Sequence, residues 1–172
     1  MEVVMGPDSN LDQALSRLVE EYQTALLRMC YMYLHDTALA EDAVQETFLK
    51  AYKAFGSFRG DCSERAWLMR IAINTCRDMQ RTSWFRCVDR RITLDMLPEA
   101  SVPYDESDEE VMLAVMKLPQ KLKEVIMLYY YQGMKIAEIS SSLGLAQTTI
   151  SDRLNRAKKR LRNVLERGYF YE

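Results

Sequence analysis

The chain has 172 residues, 48% of them hydrophobic, and a formal net charge of −2. This length allows one or two small domains with buried cores, and the composition excludes a disordered chain. No apolar run is long enough to cross a membrane, and the N-terminus lacks the basic start of a signal peptide, so we expect a cytoplasmic location. Nearly every periodic segment has helical spacing, which predicts an all-α fold.

Charge is distributed unevenly along the chain. The net charge is −3 over residues 1–81, −5 over residues 82–116 and +6 over residues 117–172. This concentration of basic side chains favours nucleic-acid binding by the last third of the chain, although the overall charge is negative.

The cysteines and the histidine do not form a recognisable metal-binding pattern. Cys30, Cys62, Cys76 and Cys87 include no C-x-x-C pair, and His35 is the only histidine. We therefore expect neither a zinc or haem site nor any other cofactor. The cysteines are interpreted as reduced thiols that mostly fill small spaces in the core, with redox sensing by Cys62 or Cys87 as the alternative.

Two helices are predicted before the first glycine-containing loop. The first covers residues 11–34, and the second begins behind a cap at Asp36 or Thr37 and runs to about Phe55. One narrow stripe of the second helix faces outward and consists of Asp42, Gln45, Glu46, Leu49 and Lys53. An exposed leucine among carboxylates indicates a protein-binding surface. The alternative is a solvated face with one stray leucine.

The next loop and helix bring together side chains suited to nucleic acid. The loop Phe58-Arg59-Gly60-Asp61 precedes a third helix, for which Asp61 and Glu64 resemble a capping box. One stripe of this helix combines an aromatic ring, an amide and guanidinium groups: Trp67, Arg70, Asn74, Arg77 and Arg81. Unstacked bases stack on aromatic rings while arginines meet phosphates, so the stripe fits single-stranded nucleic acid. The alternative is an ordinary amphipathic helix with Trp67 half-buried.

The middle of the chain is predicted to be an acidic linker. Residues 82–110 contain two prolines and the run DESDEE, with little periodicity. We therefore divide the chain into a first domain of residues 1–82, a linker of residues 83–107 and a second domain of residues 108–172.

Two further helices are predicted at the start of the second domain. Ser107 and Glu110 form a capping-box pattern for a helix over residues 108–117, and Pro119 suits the first turn of the next helix. The predicted buried side of that next helix consists of Leu122, Val125, Ile126 and Tyr129.

Residues 135–162 have the pattern of a helix-turn-helix. Ile136, Ile139 and Leu143 recur at helical spacing, and Gly144 permits the positive φ of a tight turn. The candidate DNA-reading residues of the second helix are Gln147, Thr148, Thr149, Ser151, Asp152, Arg153, Arg156, Lys159 and Arg160. Small polar side chains at its start suit base edges, and the later basic side chains suit phosphates. The alternative is a solvated basic face.

The chain resembles the extracytoplasmic-function (ECF) sigma factors of the bacterial sigma-70 family from about Leu15 to Arg167. The resemblance rests on EDAVQETFLKAY and SFRGDCSERAWLMRIAINTCRDMQR in the first half. In the second half it rests on LPQKLKEVIMLYYYQGMKIAEISSSLGLAQTTISDRLNRAKKRLR. It implies two small helical domains, sigma-2 and sigma-4, of which the second contains the helix-turn-helix, joined by the acidic linker.

The resemblance also implies partners and roles. Core RNA polymerase would bind residues 42–53 through its β′ clamp helices and would contact the chain through its β flap. Residues 58–64 and 67–81 would melt the promoter −10 element and read it as single strand. Residues 147–162 would read the −35 element as duplex. The linker would run toward the RNA exit channel.

One position departs from the family pattern. Many relatives have Lys-Ser where this chain has Ser151-Asp152, so the −35 sequence cannot be copied from them. Asp152 either accepts from a cytosine amino group or pairs with a neighbouring arginine. We expect no accessory ligand-binding domain, so regulation falls to another protein, which in this family is usually a membrane-linked anti-sigma factor.

Three functions compete at this point: a promoter-specificity subunit of RNA polymerase, a stand-alone helix-turn-helix regulator and an enzyme. The Trp67 stripe and the outward face of the second helix favour the first, because a repressor needs neither. An enzyme is not expected, since the sequence has one histidine, no nucleophile with a base in recognisable spacing and no phosphate-binding glycine loop. No small-molecule substrate is expected either.

Overall fold

The computed structural model describes residues 7–82 and 106–168, with side chains described for residues 10–82 and 110–166. Every regular element within these ranges is helical, which confirms the all-α prediction. The described residues fall into two compact units, one on each side of the predicted linker. Most of that linker and Cys87 lie outside the described residues.

In its described part, residues 7–82, the first unit has three helices: α1 (Pro7–Leu34), α2 (Thr37–Ala54) and α3 (Glu64–Gln80). A short 3₁₀ turn, Phe55–Ser57, follows α2. Helix α1 begins four residues before its predicted start, and it ends where His35 adopts a positive φ of 52°. This left-handed conformation stops the helix and lets the chain reverse into α2.

Caps fix the starts of α2 and α3. Asp36 accepts a hydrogen bond from the Leu39 N–H at 2.9 Å, which confirms the first of the two predicted caps. The predicted cap of α3 at Asp61 is wrong, because Ser63 accepts from the Ala66 N–H at 3.1 Å. Ser63 directly precedes the first helical residue, the position from which a side chain caps the free N–H groups of the first turn.

Glu64 ties α3 to α1 instead of completing a capping box. Arg17 donates to both of its carboxylate oxygens, at 2.6 and 3.0 Å. The guanidinium group holds the pKa of the Glu64 carboxyl below its usual value. Glu64 also lies in the first turn of α3, where a negative charge is favoured by the helix dipole.

The core of the first unit lies where the three helices meet. Leu18, Leu26 and Met29 of α1 are fully buried in it. The buried face of α3 is wide and consists of Leu68, Met69, Ala72, Ile73, Thr75 and Cys76, whereas Ile71 and Met79 are half-buried. Helix α3 packs on both α1 and α2, and two neighbours cover more of its circumference than one would. Cys30 and Cys76 are buried in the core, as expected of small core fillers, and Cys62 is half-buried.

Within residues 106–168, the second unit contains four helices: α4 (Glu106–Met116), α5 (Gln120–Ile126), α6 (Ile136–Leu143) and α7 (Gln147–Gly168). Helix α4 starts two residues before the predicted position, so Ser107 lies inside it and cannot be its cap. Pro119 immediately precedes α5. The Lys123 Nζ donates to the Met116 carbonyl oxygen at 3.2 Å, and burial lowers the pKa of this ammonium group to about 8.

Helix α5 continues into a π-helical turn, Met127–Tyr131, which changes the direction of its side chains. Leu122, Val125 and Ile126 are buried as predicted, but Tyr129 is 37% exposed and Tyr130 is 52% exposed. The prediction for Tyr129 is wrong because a period of 3.6 residues does not hold through a π turn. Leu128 is buried instead.

The helix-turn-helix is confirmed as α6, a turn and α7. Gly144 has φ 67° and ends α6, as the sequence predicted. Ile139, Ile150 and Leu154 are buried between the two helices and the rest of the unit. One long face of α7 therefore remains free for other contacts.

Candidate functional site

The outward stripe of α2 is exposed along its whole length. Asp42, Gln45, Glu46, Leu49 and Lys53 are all exposed, and 56% of the Leu49 surface is accessible. The geometry agrees with the prediction that Leu49 lies outside the core.

An apolar groove of about 570 Å³ runs beside this stripe, between α1 and α2. Its walls are lined by Leu15, Val19, Gln23, Val44, Gln45, Phe48, Leu49 and Tyr52. Leu49 is therefore the rim of an apolar surface and not a stray leucine. Leu15 and Val19 of α1 are only half-buried and contribute to this groove.

The predicted stripe on α3 is only partly open to solvent. Arg70, Asn74 and Arg81 are exposed, whereas Trp67 and Arg77 are half-buried. Arg81 makes an exposed ion pair with Asp78 at 3.3 Å, which contributes little stability and can exchange for a phosphate. Three cationic side chains and one amide thus lie along three turns of one helix.

Trp67 belongs to an aromatic cluster with two residues from the preceding loop. The ring of Phe58 stacks on the indole, with centroids 4.7 Å apart and planes 29° apart. Phe55 meets the indole at its edge, with centroids 6.3 Å apart and planes 67° apart. Phe55 was not among the predicted site residues, although its spacing of three residues from Phe58 is a signal in the sequence.

The loop after Phe58 is open to solvent. Arg59, Gly60 and Asp61 are exposed, and Gly60 has a φ of 75° that only glycine adopts without strain. Arg59 directly follows Phe58 in the chain, so an exposed cationic side chain is adjacent in sequence to the aromatic cluster.

Most of the predicted residues of α7 form one exposed basic face. Gln147, Thr148, Asp152, Arg156, Lys159 and Arg160 are exposed, and Thr149 and Ser151 are half-buried. Arg156 and Asp152 form an exposed ion pair at 3.7 Å, one helical turn apart. This pairing is one of the two arrangements expected for Asp152.

Arg153 differs from its neighbours on this helix. Its Nη1 lies 3.2 Å from the Glu124 Oε1 of α5, and the two side chains are 15% and 4% exposed. The guanidinium group is therefore engaged inside the unit, where it fastens α7 to α5. Sequence reasoning missed Glu124, although an acidic residue inside the apolar stretch LKEVIML is unusual and points to a buried partner.

A cleft of about 540 Å³ separates the start of α5 from the basic face of α7. Lys121, Arg156 and Arg160 lie along it together with Thr149. Lys121 is exposed, and it extends the basic surface beyond the residues predicted from the sequence.

Neither a metal centre nor a membrane span is found in the described ranges. No group of three or more His, Cys, Asp and Glu side chains in residues 10–82 and 110–166 is placed to hold a metal ion. None of the described helices combines the length and the apolar character needed to cross a membrane.

Comparison with protein families gives two matches. The family described as Sigma-70 region 2 matches residues 18–86, and Sigma-70, region 4 matches residues 108–161. These matches cover the first unit and the helix-turn-helix unit.

Curated relatives extend over nearly the whole chain. The ECF RNA polymerase sigma factor SigL of Mycobacterium tuberculosis is 34% identical, over 90% of this chain and 91% of its own length. The RNA polymerase sigma-H factor of Pseudomonas aeruginosa is 29% identical, over 90% of this chain and 87% of its own.

Two solved structures are similar in fold. CnrH in complex with the cytosolic domain of CnrY has a TM-score of 0.67 at 28% identity, covering 90% of this chain and 89% of that one. The sigma factor RpoE of Bartonella quintana, in complex with the anti-sigma factor NepR, has a TM-score of 0.70 at 24% identity. It covers 91% of this chain and 97% of that one.

Proposed function

Because this chain belongs to the ECF sigma factors of the sigma-70 family, it is an RNA polymerase sigma factor, and we propose how its parts divide the work of starting transcription. Residues 1–82 bind core polymerase and open the −10 element. Residues 108–172 read the −35 element as duplex, and residues 83–107 link the two domains.

The observation that supports this division is the pair of surfaces on the first unit. An apolar groove with Leu49 at its rim fits a helical protein partner, for which the proposed occupant is the β′ clamp helices of the polymerase. On α3, Arg70 and Asn74 lie beside an aromatic cluster that suits unstacked bases. A stand-alone helix-turn-helix regulator needs neither surface, so this alternative is not favoured.

The second unit supplies the duplex reader. The N-terminal turn of α7 presents Gln147 and Thr148 to base edges, while Arg156, Lys159 and Arg160 meet phosphates. Lys121 adds a phosphate contact from α5. Core polymerase also contacts the chain through its β flap.

Regulation is assigned to a protein partner. CnrH, which is similar in sequence and fold, was solved with the cytosolic domain of CnrY, which supports a regulator with a part outside the cytosol. We therefore expect a membrane-linked anti-sigma factor. The chain itself acts in the cytoplasm, where the promoters are, and it contributes binding and strand opening without catalysis of its own.

Run-off transcription with core polymerase tests this function, with fragmented DNA of the source organism as template and sequencing of RNA 5′ ends. The native chain is expected to direct initiation at a limited set of sites, and Leu49→Asp is expected to reduce it. A charge at an apolar interface anchor costs more than about 1 kcal/mol of association free energy with core. If core polymerase initiated at the same sites and to the same extent with and without the added chain, the proposed function would be ruled out.

A matched variant separates an interface effect from a general one. Val164→Asp makes the same kind of change at a residue that is 54% exposed on α7, outside the groove. It is expected to leave core association within about 0.5 kcal/mol of the native value, as for most surface substitutions. Equal losses from both variants would mean that the groove is not the binding surface. If circular dichroism showed that Leu49→Asp unfolds the unit, Leu49 would be a core residue and its assignment to the outward face would be wrong.

The assignment of phosphate contacts on α7 gives a separate prediction. Arg156→Ala is expected to weaken binding of the holoenzyme to every −35 sequence alike and to lower the salt dependence by about one unit of slope, as for one lost phosphate contact. Substitutions at Thr148 are expected to change sequence preference instead. Fluorescence anisotropy over a salt series with two different duplexes measures both quantities. A change in preference with Arg156→Ala would contradict the assignment.

A further inference from the structure

One face of the Trp67 indole is already covered by another ring. The 4.7 Å centroid separation and 29° interplanar angle with Phe58 are those of an offset-stacked aromatic pair. An unstacked base lies on an aromatic side chain in the same face-to-face manner. Phe58 therefore occupies the position that a base would take on this face.

Phe55 touches the same ring without covering a face. Its plane is inclined by 67° to the indole, and its centroid is 6.3 Å away, so it meets the indole edge-on. Of these two neighbours, Phe58 alone competes with a base for the indole surface. Phe55 packs against the edge of the indole, so a substitution at Phe55 serves as a control for the same substitution at Phe58.

Phe58 lies in a loop and not in a helix. It follows the 3₁₀ turn Phe55–Ser57, and Gly60 two residues later has a φ of 75° with open space around its Cα. Ser57 and Arg59 on either side are exposed, whereas Phe58 is half-buried. Rotation of this one loop side chain away from the indole is enough to uncover that face of Trp67.

We propose that Phe58 is a placeholder for a base extruded from the −10 element. It stacks on Trp67 while the promoter is closed, and it yields that position to one unpaired base when the strands separate. The ligand is a nucleobase of any identity, because stacking tolerates every base. The proposal rests on the single-strand role given above to the first unit. Affinity for the base is then the difference between two stacking interactions on one indole face.

The test uses the full chain and an eight-nucleotide single strand with 2-aminopurine at its centre, whose fluorescence falls on stacking. Phe58→Ala is expected to bind this strand roughly two- to tenfold more tightly than the native chain, since no aromatic pair must be broken first. Phe55→Ala is expected to give no such gain, because the face stays covered. In a Trp67→Ala background, Phe58→Ala is expected to have no effect.

Two results would overturn the proposal in different ways. If Phe58→Ala weakens binding as Trp67→Ala does, Phe58 is part of the base-binding surface, and the single-strand role of the first unit stands without a placeholder. If Trp67→Ala leaves binding unchanged, the single-strand role itself fails, and the placeholder with it. Thermal midpoints are recorded for each variant. If Phe58→Ala unfolds the unit, Phe58→Leu, which keeps apolar volume and loses the planar stack, is expected to show a gain in the same direction.

Discussion

Trp67→Ala is expected to reduce open-complex formation on closed promoter templates roughly tenfold, because stacking of a base on an aromatic ring contributes about 1–3 kcal/mol and the Phe58 contact that it replaces is weaker. Unpairing a base costs a few kcal/mol, so the balance is close, and loss of one stacking surface tips it toward the closed complex. Binding to core polymerase and to the −35 duplex is expected to remain nearly native, since neither involves this ring. Permanganate footprinting of the −10 thymines measures the opening.

Two controls identify the cause. A template with a pre-melted −10 bubble is expected to rescue Trp67→Ala in part, because the cost of unpairing has already been met. Trp67→Tyr retains an aromatic face and is expected to open closed templates better than Trp67→Ala. Normal opening by Trp67→Ala, or unfolding of the first unit, would show that this residue serves the core alone, as its contacts with Phe55 and Phe58 would then suggest.

The second large effect is expected on the stability of the helix-turn-helix unit. Arg153→Met is expected to lower the free energy of unfolding of this unit by about 1–3 kcal/mol, as for a buried charged group that loses one hydrogen-bond partner. The Glu124 side chain is only 4% exposed, so little water can take the place of the guanidinium group. Urea denaturation followed by circular dichroism, with hydrogen exchange of the α7 amides to locate the change, measures the loss.

Arg156, on the same helix, provides a control for Arg153. The ion pair of Arg156 is exposed, at 62% and 65% for the two side chains, so Arg156→Ala is expected to change stability by less than about 1 kcal/mol. The double variant Glu124→Leu/Arg153→Met is expected to recover most of the lost stability, because apolar pairs often replace buried ion pairs without cost. If Arg153→Met kept native stability but lost −35 binding, Arg153 would be a DNA contact after all.

The sequence alone was sufficient for most of the helices and for many of the faces that they expose. Periodicity placed Leu49 and Arg70 outward and Leu122 and Val125 inward, and Gly144 marked the turn, because these features depend on residues close together in the chain. The cap of α3 was misplaced by two residues for a local reason. Asp61 and Ser63 both have the chemistry of a cap, and the pattern does not decide between them.

The features that could not be predicted from the sequence depend on contacts between residues that are far apart in the chain. Arg153 shares a face with Arg156, and only the approach of α5, 29 residues earlier, shows that its guanidinium group is occupied. The half-burial of Trp67 depends on the path of the loop that brings Phe58 over it. Tyr129 was wrongly predicted to be buried because the π turn changes the helical period, and no glycine or proline within the turn indicates this change in the sequence.

Each unit has its own core, and this affects the order in which the units fold while the chain is made on the ribosome. The contacts that close the first core join residues no more than about fifty positions apart, as in the Arg17–Glu64 pair, so no later residue is needed to complete it. At about 5–20 residues per second, translation of the remaining ninety or so residues takes roughly 5–20 seconds. A small helical unit folds far faster than that. The polymerase-binding unit is thus complete on the nascent chain before the promoter-reading helix α7 has been made.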